Sequence, residues 1–297
     1  MHQIPILTAR GNGLAEAWEN SLLEVYYNGL SMKTQYDKSE DPPSKDCTML
    51  MIVNDPFGEP MIHRDFPGGL EDMQEYVMEV VDGIKDHLVR DPNDPNDKKW
   101  EYTYHQRLFN YDVIQTLPAG QGADGNWYPA EPVKKTYNQI EMVCEKLAQT
   151  PYTRRAQAVT WKVWEDNTCY DPACLQSIWC RCVEDEGILW LNTNVRMRSN
   201  DSYKAAMMNI FAFAMLQKYM AERISQLSKR EVRIGRYCHL ADSYHIYGSY
   251  FKEFESRFLK NYKERTFEDR TFRYEDVKPI MDEAIPMIRE KMKTFAK

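Results

Sequence analysis

Apolar side chains recur at three- and four-residue spacings over 14–30, through Leu14, Ala17, Trp18, Leu22, Val25 and Tyr26, which predicts an amphipathic helix ending near Gly29. The charged stretch 33–45 contains Pro42-Pro43 and reads as a loop; 48–53 is then a buried strand, stopped by the turn Asp55-Pro-Phe-Gly58. Helical spacing returns over 70–88 through Met73, Tyr76, Val77, Val80, Val81 and Ile84, followed by a turn-rich surface loop at 91–97. The glycine-rich stretch 120–125 is a second loop, without the lysine and spacing of a phosphate-binding P-loop. A helix is expected over 136–147, a strand over 156–164 carrying Trp161 and Trp164, a strand over 232–240, and a terminal helix over 279–295 with Ile280, Ala284, Ile288 and Met292 on one side. The helix over 204–227 is apolar around most of its circumference, and its Met and Phe stripe reads as core. Both element types occur without regular βαβ alternation, which predicts an α+β fold with helices packed on a large sheet.

Two apolar-rich runs, 174–183 and 191–198, face each other across Glu184-Asp-Glu-Gly187. A hairpin folded at Asp185–Glu186 pairs positions that sum to about 371 or 372, which brings Cys174 beside Met197 and Arg198. A guanidinium beside a thiol favours thiolate, so Cys174 is a candidate nucleophile. On the second arm Asn192, Asn194, Arg196 and Arg198 share one face, and Leu191, Thr193, Val195 and Met197 the other. Two arginines on a strand face must meet solvent, acidic partners or an anionic ligand.

The net charge of -7 argues against a general nucleic-acid binder, whose footprint is a basic patch. Seven cysteines with only Cys180-Arg-Cys182 closely spaced fit no zinc pattern and read as reduced thiols, so no metal is expected. There is no signal-peptide core at the N-terminus and no membrane-length apolar run, and the expected location is the cytoplasm.

The segment Arg198-Ser-Asn-Asp201, with Asn209 eight residues after the aspartate, resembles the nucleotide-binding segment of the thymidylate synthase family, which includes pyrimidine nucleotide hydroxymethylases. Pro151-Tyr-Thr-Arg-Arg155, Asp171-Pro-Ala-Cys174 and His245-Ile-Tyr247 agree with the family in order, and the resemblance covers roughly 70–255. It implies one domain over 1–297, with a divergent N-terminal loop and a helical tail from about 256, whose large mixed β-sheet forms a homodimer interface. The implied substrate is a pyrimidine nucleoside monophosphate, and the implied co-substrate 5,10-methylenetetrahydrofolate.

By the same resemblance Cys174 is the nucleophile that adds to C6 of the base and makes C5 reactive. Arg154 and Arg155 match a pair that reaches the phosphate across the dimer interface, beside Cys174 of the other subunit, where Arg198 offers a third fork. Ser199, Asn200 and Asp201 match positions on the nucleotide, Asp201 also on the folate ring. Asn209 matches the reader of the base edge, and His245 and Tyr247 the residues on the sugar hydroxyl. Tyr104 aligns with the active-site tyrosine, and Glu79 with a water-organising glutamate for which Glu75 competes.

The chain departs from the family pattern in four places. Leu175 follows the cysteine where many members carry histidine, and Ser243 replaces an aspartate two residues before His245. The N-terminal loop has Lys33, Lys38 and Lys45 in place of an arginine-rich phosphate segment, and the tail ends Thr-Phe-Ala-Lys297 in place of an apolar folate-closing segment. Asn209 can accept from uracil N3–H and donate to O4, so methylation of dUMP to dTMP is the leading expectation. Hydroxymethylation of a uridine or cytidine nucleotide, and a catalytically silent nucleotide-binding homologue, are the alternatives.

Overall fold

Seven strands hydrogen-bond into one mixed sheet. From one edge the order is Ile6–Gly11, Ser44–Val53, Val232–Ile246, Ile188–Asp201, Leu175–Asp185 and Gln157–Val159, with Leu30–Met32 beside the start of Ser44–Val53. The first pair and the central 232–246/188–201 pair are parallel; the others are antiparallel. The computed structural model describes residues 3–295 apart from 92, 93, 95 and 122. Pro92, Asn93 and Pro95 of the expected 91–97 loop, Gly122 of the glycine-rich stretch and the end of the tail, Ala296-Lys297, lie outside the described residues.

Alternation along the strands decides which face is covered. Met49, Met51, Val195, Met197 and Ala241 are buried on one face, where helices Leu14–Asn28 and Ala206–Ser228 pack. Leu50, Ile52, Trp190, Asn192, Asn194 and Arg196 alternate with them and are half-buried or exposed. In the 206–228 helix Met207, Ile210, Phe211, Ala214, Met220 and Ile224 are buried, as their spacing requires. Among the described residues no helix is long and apolar enough to cross a membrane.

Several boundaries differ from the sequence expectation for identifiable reasons. The second helix is Leu70–Asp82, because Gly83 adopts φ 70° and a Cβ there would strike the His105 ring; a 3₁₀ turn, Asp86–Leu88, follows. The helix expected over 136–147 runs Gln139–Gln149, capped by the Asn138 side chain, which accepts from Glu141 N–H at 2.9 Å. Thr136 belongs instead to the strand Glu131–Tyr137, which pairs with Tyr111–Leu117 in a hairpin that the hydrophobic pattern does not announce. Only Gln157–Val159 of the 156–164 stretch is strand, since Lys162 N–H donates to Asp166 at 2.6 Å and starts the short helix Val163–Asp166. The terminal helix is Tyr274–Phe295 and packs on helix 70–82; Val277 and Met281 face inward where Ile280 was expected, and Ile280 is exposed.

The tail is anchored to the first helix by a buried charge cluster. Arg270 donates to both Glu19 oxygens at 2.8 Å, and His63 Nε2 lies 2.9 Å from the same carboxylate. Phe254 and Phe258 stack beside it, with Trp18 edge-on to Phe258.

Candidate active site

The 175–185/188–201 hairpin closes on Glu186-Gly187, whose φ values of 48° and 80° suit a two-residue turn that follows the strand twist. This places the turn one residue later than expected and shifts the pairing accordingly. An irregularity between Leu175 and Ser177 restores the register at the open end, where Leu175 pairs with Met197. Arg198 N–H therefore donates to the Cys174 carbonyl at 2.8 Å. The Arg198 side chain holds the preceding turn, with Nε on the Ala173 carbonyl at 3.1 Å and Nη2 on that of Pro172 at 2.6 Å. Its Nη1 group makes no hydrogen bond among the described residues.

Cys174 does not carry the depressed pKa expected of it. Burial pushes the half-buried thiol above its ordinary value; the Arg198 guanidinium opposes this, the Asp171 carboxylate adds to it, and the Tyr102 hydroxyl works against it. Of the other six cysteines, Cys47, Cys144, Cys180 and Cys182 are buried, and Cys169 and Cys238 are half-buried.

In front of the turn lies a cleft of about 430 Å³ whose walls include Tyr76, Glu79, Trp100, Tyr102, Tyr104 and Asp171. Tyr104 opens helix Tyr104–Phe109, capped by Thr103, and its buried ring lies 5.6 Å from that of Tyr102. Tyr102 is the closer contact, since its hydroxyl accepts from Cys174 N–H at 3.3 Å. Helix 70–82 brings Glu79 into the cleft, where burial raises its pKa while Lys85, at 2.9 Å, opposes. Glu75 lies outside this lining and is bound by Lys85 and Lys291, at 2.8 and 2.7 Å. Of the two competing glutamates, Glu79 is the one in the cleft wall, and both share Lys85.

Behind the cleft the side chains of three elements form one hydrogen-bonded row. Asn209 Nδ2 donates to the Tyr76 hydroxyl at 2.6 Å, and Asn209 Oδ1 accepts from Asn200 Nδ2 at 2.9 Å. Asn200 Oδ1 lies 2.9 Å from His239 Nε2, and His239 Nδ1 lies 2.9 Å from the Tyr237 hydroxyl. Both ends of the Asn200 amide are thereby engaged inside the chain, which places this residue behind Asn209.

The parallel pairing of 188–201 with 232–246 sets Asp201 beside His245 and Ser199 beside Ser243. Asp201 accepts from the N–H groups of Tyr203 and Lys204 at 3.1 and 2.9 Å, and burial still raises its pKa to about 6. Burial lowers that of His245 to about 4, and Tyr247 lies edge-on to the imidazole. Ser243 Oγ is 3.2 Å from His245 Nδ1 and donates to Asp46 at 2.8 Å. A carboxylate missing from position 243 is thus supplied by the neighbouring strand, where Asp46 pairs directly with His245.

Arg154 and Arg155 stand apart from this group. Both are exposed, and among the described residues neither guanidinium is hydrogen-bonded or ion-paired. The Arg154 carbonyl accepts from Trp179 Nε1, five residues along the strand from Cys174, a span of about 17 Å at the usual rise. Within one chain the pair does not converge with Arg198.

Tyr76, Tyr102, Asp46 and His239 are site neighbours that sequence reasoning missed. In the sequence Tyr76 shows only as part of an apolar helix face. Tyr102 lies in the same Trp100–Arg107 stretch as Tyr104, two residues away. The other two carried no local signal.

The thymidylate synthase family model matches residues 89–282, and the chain belongs to that family. A provisionally named thymidylate synthase of Methanocaldococcus jannaschii is 26% identical over 248 residues, which span 82% of this chain and 91% of the relative. A thymidylate synthase of Lactococcus lactis subsp. cremoris is 29% identical over 136 residues, 45% of this chain and 46% of the relative. The solved structure of thermostable thymidylate synthase A from Bacillus subtilis shares the fold, with a TM-score of 0.53 at 17% identity over 83% of this chain and 84% of that one. The α+β class with a large mixed sheet stands as expected.

Proposed function

We propose that the chain transfers a one-carbon unit from 5,10-methylenetetrahydrofolate to C5 of a pyrimidine nucleoside monophosphate, converting dUMP to dTMP. The observation that carries this reading is the Arg198–Cys174 arrangement, in which one guanidinium grips both carbonyls before the cysteine and keeps Nη1 free among the described residues. That free edge suits a phosphate oxygen. Phosphate on that edge offsets part of the guanidinium's pull on the sulfur, so the thiol proton must pass to solvent water as the S–C6 bond forms.

Thiolate addition at C6 forms the S–C6 bond and moves the C5=C6 electron pair toward the C4 carbonyl, leaving C5 nucleophilic. Asn209 would bind the N3–O4 edge, and His245 with Tyr247 the sugar hydroxyl. Tyr102 and Tyr104 line the cleft beside the sulfur, where Glu79 would order water. The aromatic walls formed with Trp100 suit a flat pterin ring, and the folate supplies the carbon and the hydride when bound. Release of the C5 proton and expulsion of the thiolate complete the cycle.

The phosphate pocket is incomplete in one subunit. Arg154 and Arg155, unpaired among the described residues and tied through the Arg154 carbonyl to Trp179, five residues beyond Cys174, support a homodimer in which each protomer lends this pair to its partner's site, with the uncovered sheet face as the interface.

Product mass after incubation of dUMP, dCMP, UMP or CMP with methylenetetrahydrofolate tests the reading. A gain of about 14 mass units on dUMP, lost in Cys174→Ala while nucleotide binding persists, is the expected result; a gain of about 30 would instead mean capture of water, and full turnover by Cys174→Ala would refute the role of the sulfur.

A further inference from the structure

The row Tyr237–His239–Asn200–Asn209–Tyr76 runs from the core to Tyr76 in the cleft wall, and every link is 2.6 to 2.9 Å. Each carboxamide carries an acceptor at one end and a donor at the other, so only two settings satisfy every member, one with all protons pointing toward Tyr76 and one with all reversed. A mixed setting would leave two oxygens or two N–H groups facing each other out of water, which is costly. His239 is fully buried, and burial drives its pKa down to about 3. The neutral ring carries one N–H, so the row keeps a direction at any ordinary pH.

Tyr237 supplies what chooses between the two settings. Its hydroxyl is fully buried and has His239 Nδ1 as its hydrogen-bond partner among the described residues. Were it to accept a proton from Nδ1, its own hydrogen would be stranded in the core. It therefore donates to Nδ1, leaving the ring proton on Nε2, which donates to Asn200 Oδ1. Asn200 Nδ2 then donates to Asn209 Oδ1, and Asn209 Nδ2 points to Tyr76.

We infer that this row is a specificity device, in which Tyr237, His239 and Asn200 are positioning residues that fix which end of the Asn209 amide meets each edge atom of the pyrimidine. The inference rests on the proposed nucleotide site. Uracil offers N3–H beside an acceptor at O4, and cytosine offers an acceptor at N3 beside an amino donor at C4. A fixed amide matches one order and opposes the other; a freely flipping amide accepts both.

Two variants separate this role from simple packing. Tyr237→Phe keeps the ring and removes the directing proton. Asn200→Asp presents only acceptors, so Asn209 must turn its Nδ2 toward position 200 and its Oδ1 toward Tyr76. Dissociation constants for dUMP and dCMP, measured calorimetrically beside thermal unfolding, give the ratio that decides. The wild type is expected to favour dUMP by about tenfold or more, Tyr237→Phe to narrow that ratio, and Asn200→Asp to move it toward dCMP. A folded Tyr237→Phe that keeps the wild-type ratio overturns the inference, whether or not Asn200→Asp folds. A wild type that binds neither nucleotide overturns the functional reading instead. Nitrogen NMR of His239 then tests the row alone: a proton on Nε2 and none on Nδ1 supports it, and the reverse refutes it.

Discussion

Separation of Arg154 and Arg155 from Cys174 within one chain makes subunit complementation a quantitative test. The Arg154 carbonyl is fixed to the Trp179 ring, and the Trp179 backbone lies five residues from the nucleophile, about 17 Å at the usual rise of about 3.3 Å per residue. Cys174→Ala should be inactive, and Arg154→Ala/Arg155→Ala should lose most of its activity. A heterodimer of the two variants contains one site with both sets of residues intact and one with neither. Random reassociation of equal amounts makes half the dimers mixed, so the mixture should recover about a quarter of wild-type activity. Co-expression with two affinity tags, purification through both and a turnover assay would measure this; the doubly selected dimer should reach about half of wild type. A mixed dimer no more active than its parents would refute the exchange and place all phosphate ligands within one protomer.

Labelling of Cys174 by iodoacetamide, read from the mass of its peptide, should keep accelerating as pH rises past the ordinary thiol value of about 8.5, because the folded chain holds the proton longer than a free thiol does. A plateau below that value would contradict the burial argument. Arg270→Met should destabilise the fold by about 3–5 kcal/mol in urea unfolding, since it leaves Glu19 in the interior with His63 as its remaining partner. A loss below about 1 kcal/mol would show that the cluster is not structural.

The hydrophobic pattern exposed the helices and central strands because each has one face against the core. It was silent about the 111–117/131–137 hairpin, where Ile114 is exposed and no alternation toward a core exists to be read. The Cys174–Arg198 neighbourhood was legible from hairpin arithmetic even though the turn falls one residue later, because the irregularity near Gln176 compensates. Asp46 was not legible as the carboxylate behind His245, since only the antiparallel pairing of distant strands puts them side by side. The same holds for His239 and Asn200, which meet across two strands 39 residues apart. The raised pKa of Cys174 is not legible in the sequence, because spacing shows a nearby charge but not the depth of burial that outweighs it.

Covalent capture of the nucleotide tests the sulfur's role most directly. 5-Fluoro-dUMP cannot shed its C5 substituent as a proton, so addition at C6 followed by carbon transfer should arrest with the S–C6 bond intact. After incubation with methylenetetrahydrofolate, denaturation and digestion, the nucleotide should remain attached to the peptide carrying Cys174. A bound but wholly dissociable nucleotide, or a label on any other cysteine, would contradict the account.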